Sequence, residues 1–304
     1  MTALAVDVGG TKFAAAAVGA DGEMLARCEL PLRGASCPED RLSEVIAEIT
    51  GRVPAGRIEA VGVGSAGPLD LQAGTVSPVN IPGWRDFPLV GFLERLLPGR
   101  PVRLAGDAQC MALGEWWRGT ARPRTMLGMV VSTGVGGGLV LDGTPYLGPT
   151  GNAGHIGHIT VDPHGPACAC GATGCTETFA SGPGMVGWAR DNGWTGEDAE
   201  ALAAAAAGGD PLARRAFQRA ADALATAILT TAALFDLDHV VIGGGVAAAG
   251  PILFDPLRQA VARDAGLGYL RRLRVEPTRL GRDAGLLGAA ALVLPVPARR
   301  ASCT

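Results

Sequence analysis

Short apolar runs interrupted by glycine set the pattern at the start of the chain. Residues 4–8 are almost wholly apolar, Gly9 and Gly10 break the run, and residues 13–18 resume it. This predicts a strand, a glycine turn and a second strand, with an Ala-Asp-Gly turn leading to a third. The same pattern returns at residues 127–141, again with Gly and Thr at the bend and an Asp142-Gly143 turn behind it. Taken singly, each copy reads as an ordinary hairpin. Their recurrence in register, with Asp7 in the first, points to a duplicated domain. It also points to phosphate-binding turns, because glycine lets backbone N–H groups approach phosphate oxygens with no side chain between.

Between the copies, residues 41–50 have helical spacing, 60–64 read as a buried strand, and 65–68 and 80–84 as loops. Residues 101–105 predict another strand, with Asp107 at its end and a helix over 108–117, which Asp107 would cap on the plainest reading. A long amphipathic helix is expected over 210–234, and a strand over 235–245 ending in a third glycine turn. Helices follow at 251–265 and 284–294, the latter capped by Asp283. The alanine run at 201–207 reads as a helix without chemistry, and 299–304 as a disordered tail. Strands alternating with helices give an α/β protein.

Composition narrows the class. Of 304 residues, 48% are hydrophobic and 18% charged, enough to bury the core of two ordinary domains or one large one. A net charge of −3 offers no footprint for nucleic acid. Gly, Asp and Pro interrupt every apolar run before it reaches membrane-spanning length, and the N-terminus lacks the features of a signal peptide. Cys28, Cys37, Cys110 and Cys303 are scattered, which suits a reducing compartment. The expectation is a soluble cytoplasmic protein with no nucleic-acid or membrane partner.

The remaining three of seven cysteines fall within eight residues, as Cys168-x-Cys170-x4-Cys175, with His158 upstream. Three thiolates and an imidazole can complete a closed tetrahedral zinc site, and such spacing in an intracellular chain points to metal. A redox pair or free buried thiols is the alternative. Gly171 and Gly174 allow tight turns between ligands, and His155 and Glu177 flank the knot.

Together, residues 7–11 (DVGGT), Gly106-Asp107, residues 132–138 (STGVGGG), residues 155–158 (HIGH) and the cysteine knot through Glu177 resemble the ROK family of bacterial sugar kinases. The resemblance runs in order from Asp7 to about Gly288. It implies an actin-like, hexokinase-like (ribonuclease H-like) two-domain ATPase fold with a duplicated βββαβα core around a cleft. On that pattern a smaller domain comprises residues 1–108 with 289–304, and a larger one residues 109–288. The family's repressors carry a helix-turn-helix ahead of the first strand, which begins here at the N-terminus; the expectation is an enzyme, with a non-catalytic sugar-binding protein on the same fold as the alternative.

The resemblance further implies ATP-dependent phosphorylation of the 6-hydroxyl of a hexose, with Asp107 as the catalytic base. Asp7 would orient Mg²⁺ through water. Gly9, Gly10, Thr11, Thr133 and Gly134 would hold phosphates, with Lys12 assisting or merely solvated, and Gly244 and Gly245 would pass beneath the adenosine. Glu177, His158, Gly67 and Asn80 match sugar-pocket positions, and His158 would also ligate zinc with Cys168, Cys170 and Cys175. Homodimers or homotetramers are implied. Two positions depart from the pattern: the family usually has Glu where His155 stands, and Asn where Gly106 stands. Both missing side chains ordinarily contact ring hydroxyls around carbons 2 to 4, so the sugar itself is left open. An aminohexose such as kanosamine, or a C7-cyclitol, becomes a candidate beside glucose, and ATP or polyphosphate both remain as donor.

Overall fold

The structure, a computed structural model, describes residues 1–296 except Ser36, Ala55 and Thr120. The expected disordered tail and Cys303 lie outside the described residues. In chain order the elements begin β1 (Thr2–Val8), β2 (Lys12–Gly19), β3 (Met24–Pro31), α1 (Pro38–Arg52), β4 (Ile58–Ser65), β5 (Leu69–Asp70) and β6 (Thr75–Val76). They continue with α2 (Leu89–Leu96), β7 (Val102–Gly106), α3 (Asp107–Arg118), β8 (Thr125–Val131), β9 (Val135–Leu141) and β10 (Thr144–Tyr146). The rest are α4 (Thr176–Ala180), α5 (Gly182–Asp191), α6 (Ala199–Ala207), α7 (Pro211–Phe235), β11 (His239–Gly243), α8 (Pro251–Asp264), β12 (Arg274–Pro277) and α9 (Ala284–Ala291).

The duplication is explicit in the sheets. One has the order β3-β2-β1-β4-β7 and the other β10-β9-β8-β11-β12. In each, two hairpin connections are followed by strands that return in parallel through helices. The central strand β1 reads as a continuous apolar run because helices cover both of its faces; Leu4, Ala5 and Val6 are wholly buried.

Two compact units result. The first comprises Met1–Arg122, Gly138–Ala153 and the chain from Arg282 onward; the second comprises Pro123–Gly137 and Gly154–Gly281. This division differs from the expected boundaries at 108/109 and 288/289. The reason is the packing of α3 on α9, which keeps both helices in the first unit. A Cβ on Gly288 would lie 1.6 Å from the Cys110 carbonyl oxygen, and one on Gly114 would lie 2.1 Å from that of Ala284. Only glycine permits so close a helix approach.

Local signals explain the helix limits. Helix α1 starts at Pro38, earlier than the periodicity predicts, with Cys37 at its N-cap, and buries Leu42, Val45, Ile46 and Ile49 along one stripe. Asp210 caps α7 by accepting hydrogen bonds from the amides of Leu212 and Ala213, both at 2.8 Å. That helix runs through Phe235 and ends at Asp236 in a left-handed conformation, so the strand expected from 235 begins only at His239. Helix α9 stops at Ala291, short of 294, and Asp283 at its N-cap makes no side-chain cap. Its carboxylate instead accepts from Arg27 Nε at 3.1 Å.

Candidate active site

In the first unit, β1 and β7 end beside one another's neighbours in the sheet, and each delivers an aspartate. Asp7 is the penultimate residue of β1. Asp107 is the first residue of α3, immediately after β7, with Gly106 rather than itself at the N-cap. The Asp107 carboxylate accepts from the Ala108 amide at 2.7 Å. Burial, and secondarily the charge of Asp107, push the Asp7 carboxyl up to about 7, against a lowering pull from Lys12. Two carboxylates close enough to disfavour joint ionisation form a place for a cation or a proton.

The glycine turn between β1 and β2 closes with the Gly9 amide donating to the Lys12 carbonyl at 3.2 Å. Asn80 packs directly on it, since a Cβ on Gly10 would lie 2.7 Å from Asn80 Cβ. Lys12 is not simply solvated: its ammonium lies 2.7 Å from Glu29, which also pairs with Arg27 at 2.8 Å. Those two cations hold the Glu29 carboxyl below its usual value, the Lys12 hydrogen bond contributing most. Gly67 lies in the loop after β4, joined to Pro68 by a cis peptide bond.

In the second unit the other two glycine turns meet. Gly244 has φ +99°, and a Cβ there would lie 2.3 Å from the Val131 carbonyl oxygen, so glycine is required where this turn crosses the end of β8. The Val246 amide donates to the same carbonyl at 3.0 Å, and Gly245 lies beside Ser132 Oγ. Between β8 and β9, Thr133 is exposed at the tip of the turn and Gly134 half-buried behind it. Glu177, at the start of α4, reaches this tip and accepts a hydrogen bond from the Val135 amide at 2.9 Å.

His158 and the three thiols of the knot also converge. One donor atom from each of His158, Cys168, Cys170 and Cys175 lies within 4.8 Å of all the others. Cys170 and Cys175 sulfurs are 3.7 Å apart, as are Cys168 Sγ and His158 Nδ1. The edge of a tetrahedron with 2.3 Å metal–sulfur bonds is about 3.8 Å, so this donor set fits a zinc ion. The separation is far too long for a disulfide, and the six described cysteines are all free. Burial and the neighbouring thiols push Cys175 up to about 12. Gly174, at φ +68°, passes against the Asp162 carbonyl, where a Cβ would intrude to 1.5 Å. The imidazole of His155 stacks near that of His158, with centroids 6.1 Å apart and planes 22° from parallel.

The sequence-predicted residues divide between the two units. Asp7, Gly9, Gly10, Asn80 and Asp107 share the first; Thr133, Gly134, His158, Glu177, Gly244 and the knot share the second. Four neighbours escaped the sequence reading. Gly285, second residue of α9, would place a Cβ 3.5 Å from Asp7 Oδ2. Cys110 is buried, and its thiol is pushed well up by that burial and then by the charges of Asp7 and Asp107. Its position three residues after Asp107, on the same helical face, was a usable signal. Glu29 and Gln109 gave no comparable signal, because their partners are distant in sequence or are backbone groups.

The sequence profile of the ROK family matches residues 3–295. An N-acetylmannosamine kinase from Shigella boydii is 38% identical over 295 residues, spanning 96% of this chain and 98% of that one. A ROK hexokinase from Thermus thermophilus superposes with a TM-score of 0.82 at 36% identity, covering 95% of this chain and 97% of the other. A ROK family glucokinase from Streptomyces griseus, solved in complex with glucose and AMPPNP, gives 0.79 at 32% identity, covering 96% and 99%. These likenesses extend over the glycine turns, the paired aspartates and the cysteine knot alike, and the chain belongs to the ROK family.

Proposed function

We propose that this chain, an ATP-dependent sugar kinase, phosphorylates the primary 6-hydroxyl of a hexose or hexose-like sugar with Asp107 as the base. The observation that carries the reading is the placement of Asp107 at the β7–α3 junction, in the electrostatic reach of Asp7. As the sugar 6-oxygen attacks the γ-phosphorus, its proton passes to the Asp107 carboxylate. A new P–O bond forms, the bond to the β,γ-bridging oxygen breaks, and ADP departs with that electron pair.

The backbone amides of Gly10 and Thr11, in the turn that Gly9 closes, and those of Thr133 and Gly134, hold phosphates. Lys12, anchored by Glu29, adds positive charge at the first turn. Gly244 and Gly245 carry the adenosine, and Gly67, Asn80, Gly106, His155, His158 and Glu177 face the sugar. Asp7 would hold Mg²⁺, which supplies charge neutralisation to the phosphates when bound; a raised carboxyl beside a second carboxylate suits a divalent cation. His158, Cys168, Cys170 and Cys175 would hold structural zinc, which fixes the segment leading into Glu177. We assign the protein to the cytoplasm as a homodimer or homotetramer, without nucleic-acid or membrane partners. Free thiols support a reducing compartment, and no helix of the described residues is long and apolar enough to cross a membrane.

A second reading concerns which sugar is used. Gly106 has φ −67° and ψ 149°, open to any residue, though a Cβ there would crowd the Gln109 side chain, at 3.2 Å from Oε1 and 3.4 Å from Cδ. The family's usual amide is absent at this position, and His155 replaces an anion with an imidazole. Together with the N-acetylmannosamine kinase relatives, this keeps an aminohexose beside glucose as a candidate substrate. ADP release measured with glucose, N-acetylmannosamine, kanosamine and a C7-cyclitol tests both. Turnover with none of them overturns the kinase reading, and a kcat/KM highest for glucose removes the second.

A further inference from the structure

Gln109 is 4% exposed, although its side chain carries two donors and an acceptor. A buried primary amide is costly unless each group is paired. Here each is. Gln109 Oε1 accepts from the Gly106 amide at 2.8 Å. Its Nε2 donates to the Gly151 carbonyl at 3.1 Å and the Ala153 carbonyl at 2.7 Å. The side chain therefore ties the turn that carries Asp107 to a segment more than forty residues further along the chain.

That segment is itself anchored. Asn152, between the two carbonyls, accepts from the Leu69 amide at 3.0 Å through Oδ1 and donates to the Leu69 carbonyl at 2.8 Å through Nδ2. Leu69 follows the Gly67-Pro68 loop directly. Two amide side chains thus link three backbone stretches: Gly106-Asp107, Gly151–Ala153 and the loop ending at Leu69. All three belong to the first unit.

We propose that Gln109 is a positioning residue for the phosphoryl transfer, setting the direction of the Asp107 carboxylate by fixing the backbone immediately before it. The inference rests on the assignment of Asp107 as base. The Gly106 amide belongs to the Ala105–Gly106 peptide, one residue before Asp107, and its hydrogen bond to Gln109 pins the turn from which the aspartate side chain departs. Proton transfer from a hydroxyl tolerates little misplacement: an error of about 1 Å costs on the order of 10²-fold in rate. The nucleotide's phosphates, by contrast, are assigned to the glycine turns.

Two substitutions separate positioning from packing. Gln109→Met keeps the volume and removes all three hydrogen bonds. Gln109→Glu keeps the acceptor, and regains one donor only when its carboxyl is protonated. Both are compared with wild type for kcat, for KM of ATP, and for amide exchange at Gly106. The expected result is a kcat lower by about 10- to 100-fold with KM for ATP within about threefold, and faster Gly106 exchange. In addition, the ratio of Gln109→Glu to wild-type kcat should climb as pH falls from about 8 to about 5.5, while the Gln109→Met ratio stays flat. Taking ratios removes the pH dependence that variant and wild type share. Variant kcat within about threefold of wild type, or a flat ratio for Gln109→Glu, overturns the proposal. A wild type that phosphorylates no sugar sinks the kinase reading instead; the brace then stands or falls on Gly106 exchange, and unchanged protection in Gln109→Met overturns it.

Discussion

Glu177 and Val135 are joined by a 2.9 Å hydrogen bond, from the backbone amide of the second glycine turn to the carboxylate on α4. One acidic side chain therefore shapes the second glycine turn while also standing two residues beyond the last cysteine of the knot. The two tasks are separable by substitution. Glu177→Gln preserves an acceptor for Val135 and loses the charge. Glu177→Ala loses both and leaves a partly buried amide unpaired. Steady-state kinetics should show Glu177→Gln raising the sugar KM alone. Glu177→Ala should raise the sugar and ATP KM values together, each by about tenfold, the equivalent of about 1.4 kcal/mol. An unchanged ATP KM in Glu177→Ala would mean the turn holds its shape without this bond.

The cysteine knot predicts a metal content. Purified protein should carry about one zinc per chain. Cys170→Ser should lose it and melt at a lower temperature, because metal binding and local folding are linked. Elemental analysis beside a thermal melt decides. Full-length protein without zinc, melting as the variant does, would leave the four donors as free thiols and a histidine.

Asp7 predicts a pH dependence of stability. Its carboxyl titrates near 7 in the folded chain and near 4 when unfolded. From about pH 4 to about pH 7 the folded state holds a proton that the unfolded state has released, so stability falls as pH rises through that window and levels off above it. Asp7→Asn removes this dependence and should be the more stable protein at pH 8, with a smaller difference at pH 4. Mg²⁺ should recover part of the wild-type loss at high pH, by binding the ionised carboxylate. Urea midpoints across pH measure both; a wild-type curve parallel to that of Asp7→Asn would show that Asp7 ionises normally.

Much of this was legible in the chain. The paired hairpins at residues 4–18 and 127–141 announced themselves by a repeated alternation of apolar run and glycine, a local pattern, and the sheet orders bear out the duplication. The cysteine spacing was equally local, and its four donors meet. What stayed hidden depends on contacts between distant segments. The unit boundaries follow from α3 lying on α9 through Gly114 and Gly288, and neither helix advertises the other. Asp283 looked like a helix cap from its position, but Arg27, some 250 residues earlier in the chain, offers its carboxylate a charged partner instead. Pairing with a guanidinium charges both partners of the bond, where a backbone N–H cap charges only one. Gln109 read as one more helical residue, because its partners are backbone groups that no sequence pattern marks.

The central claim is that Asp107 takes the proton in phosphoryl transfer to a sugar, and Asp107→Asn tests it most directly. The substitution keeps the shape and an acceptor for the Ala108 amide while removing the base. ADP release should be measured at saturating ATP with the best sugar of the panel, and nucleotide affinity separately by titration. The account predicts turnover lower by on the order of 10²–10⁴-fold with nucleotide affinity largely retained. Turnover within about threefold of wild type would contradict it and send the proton to another group.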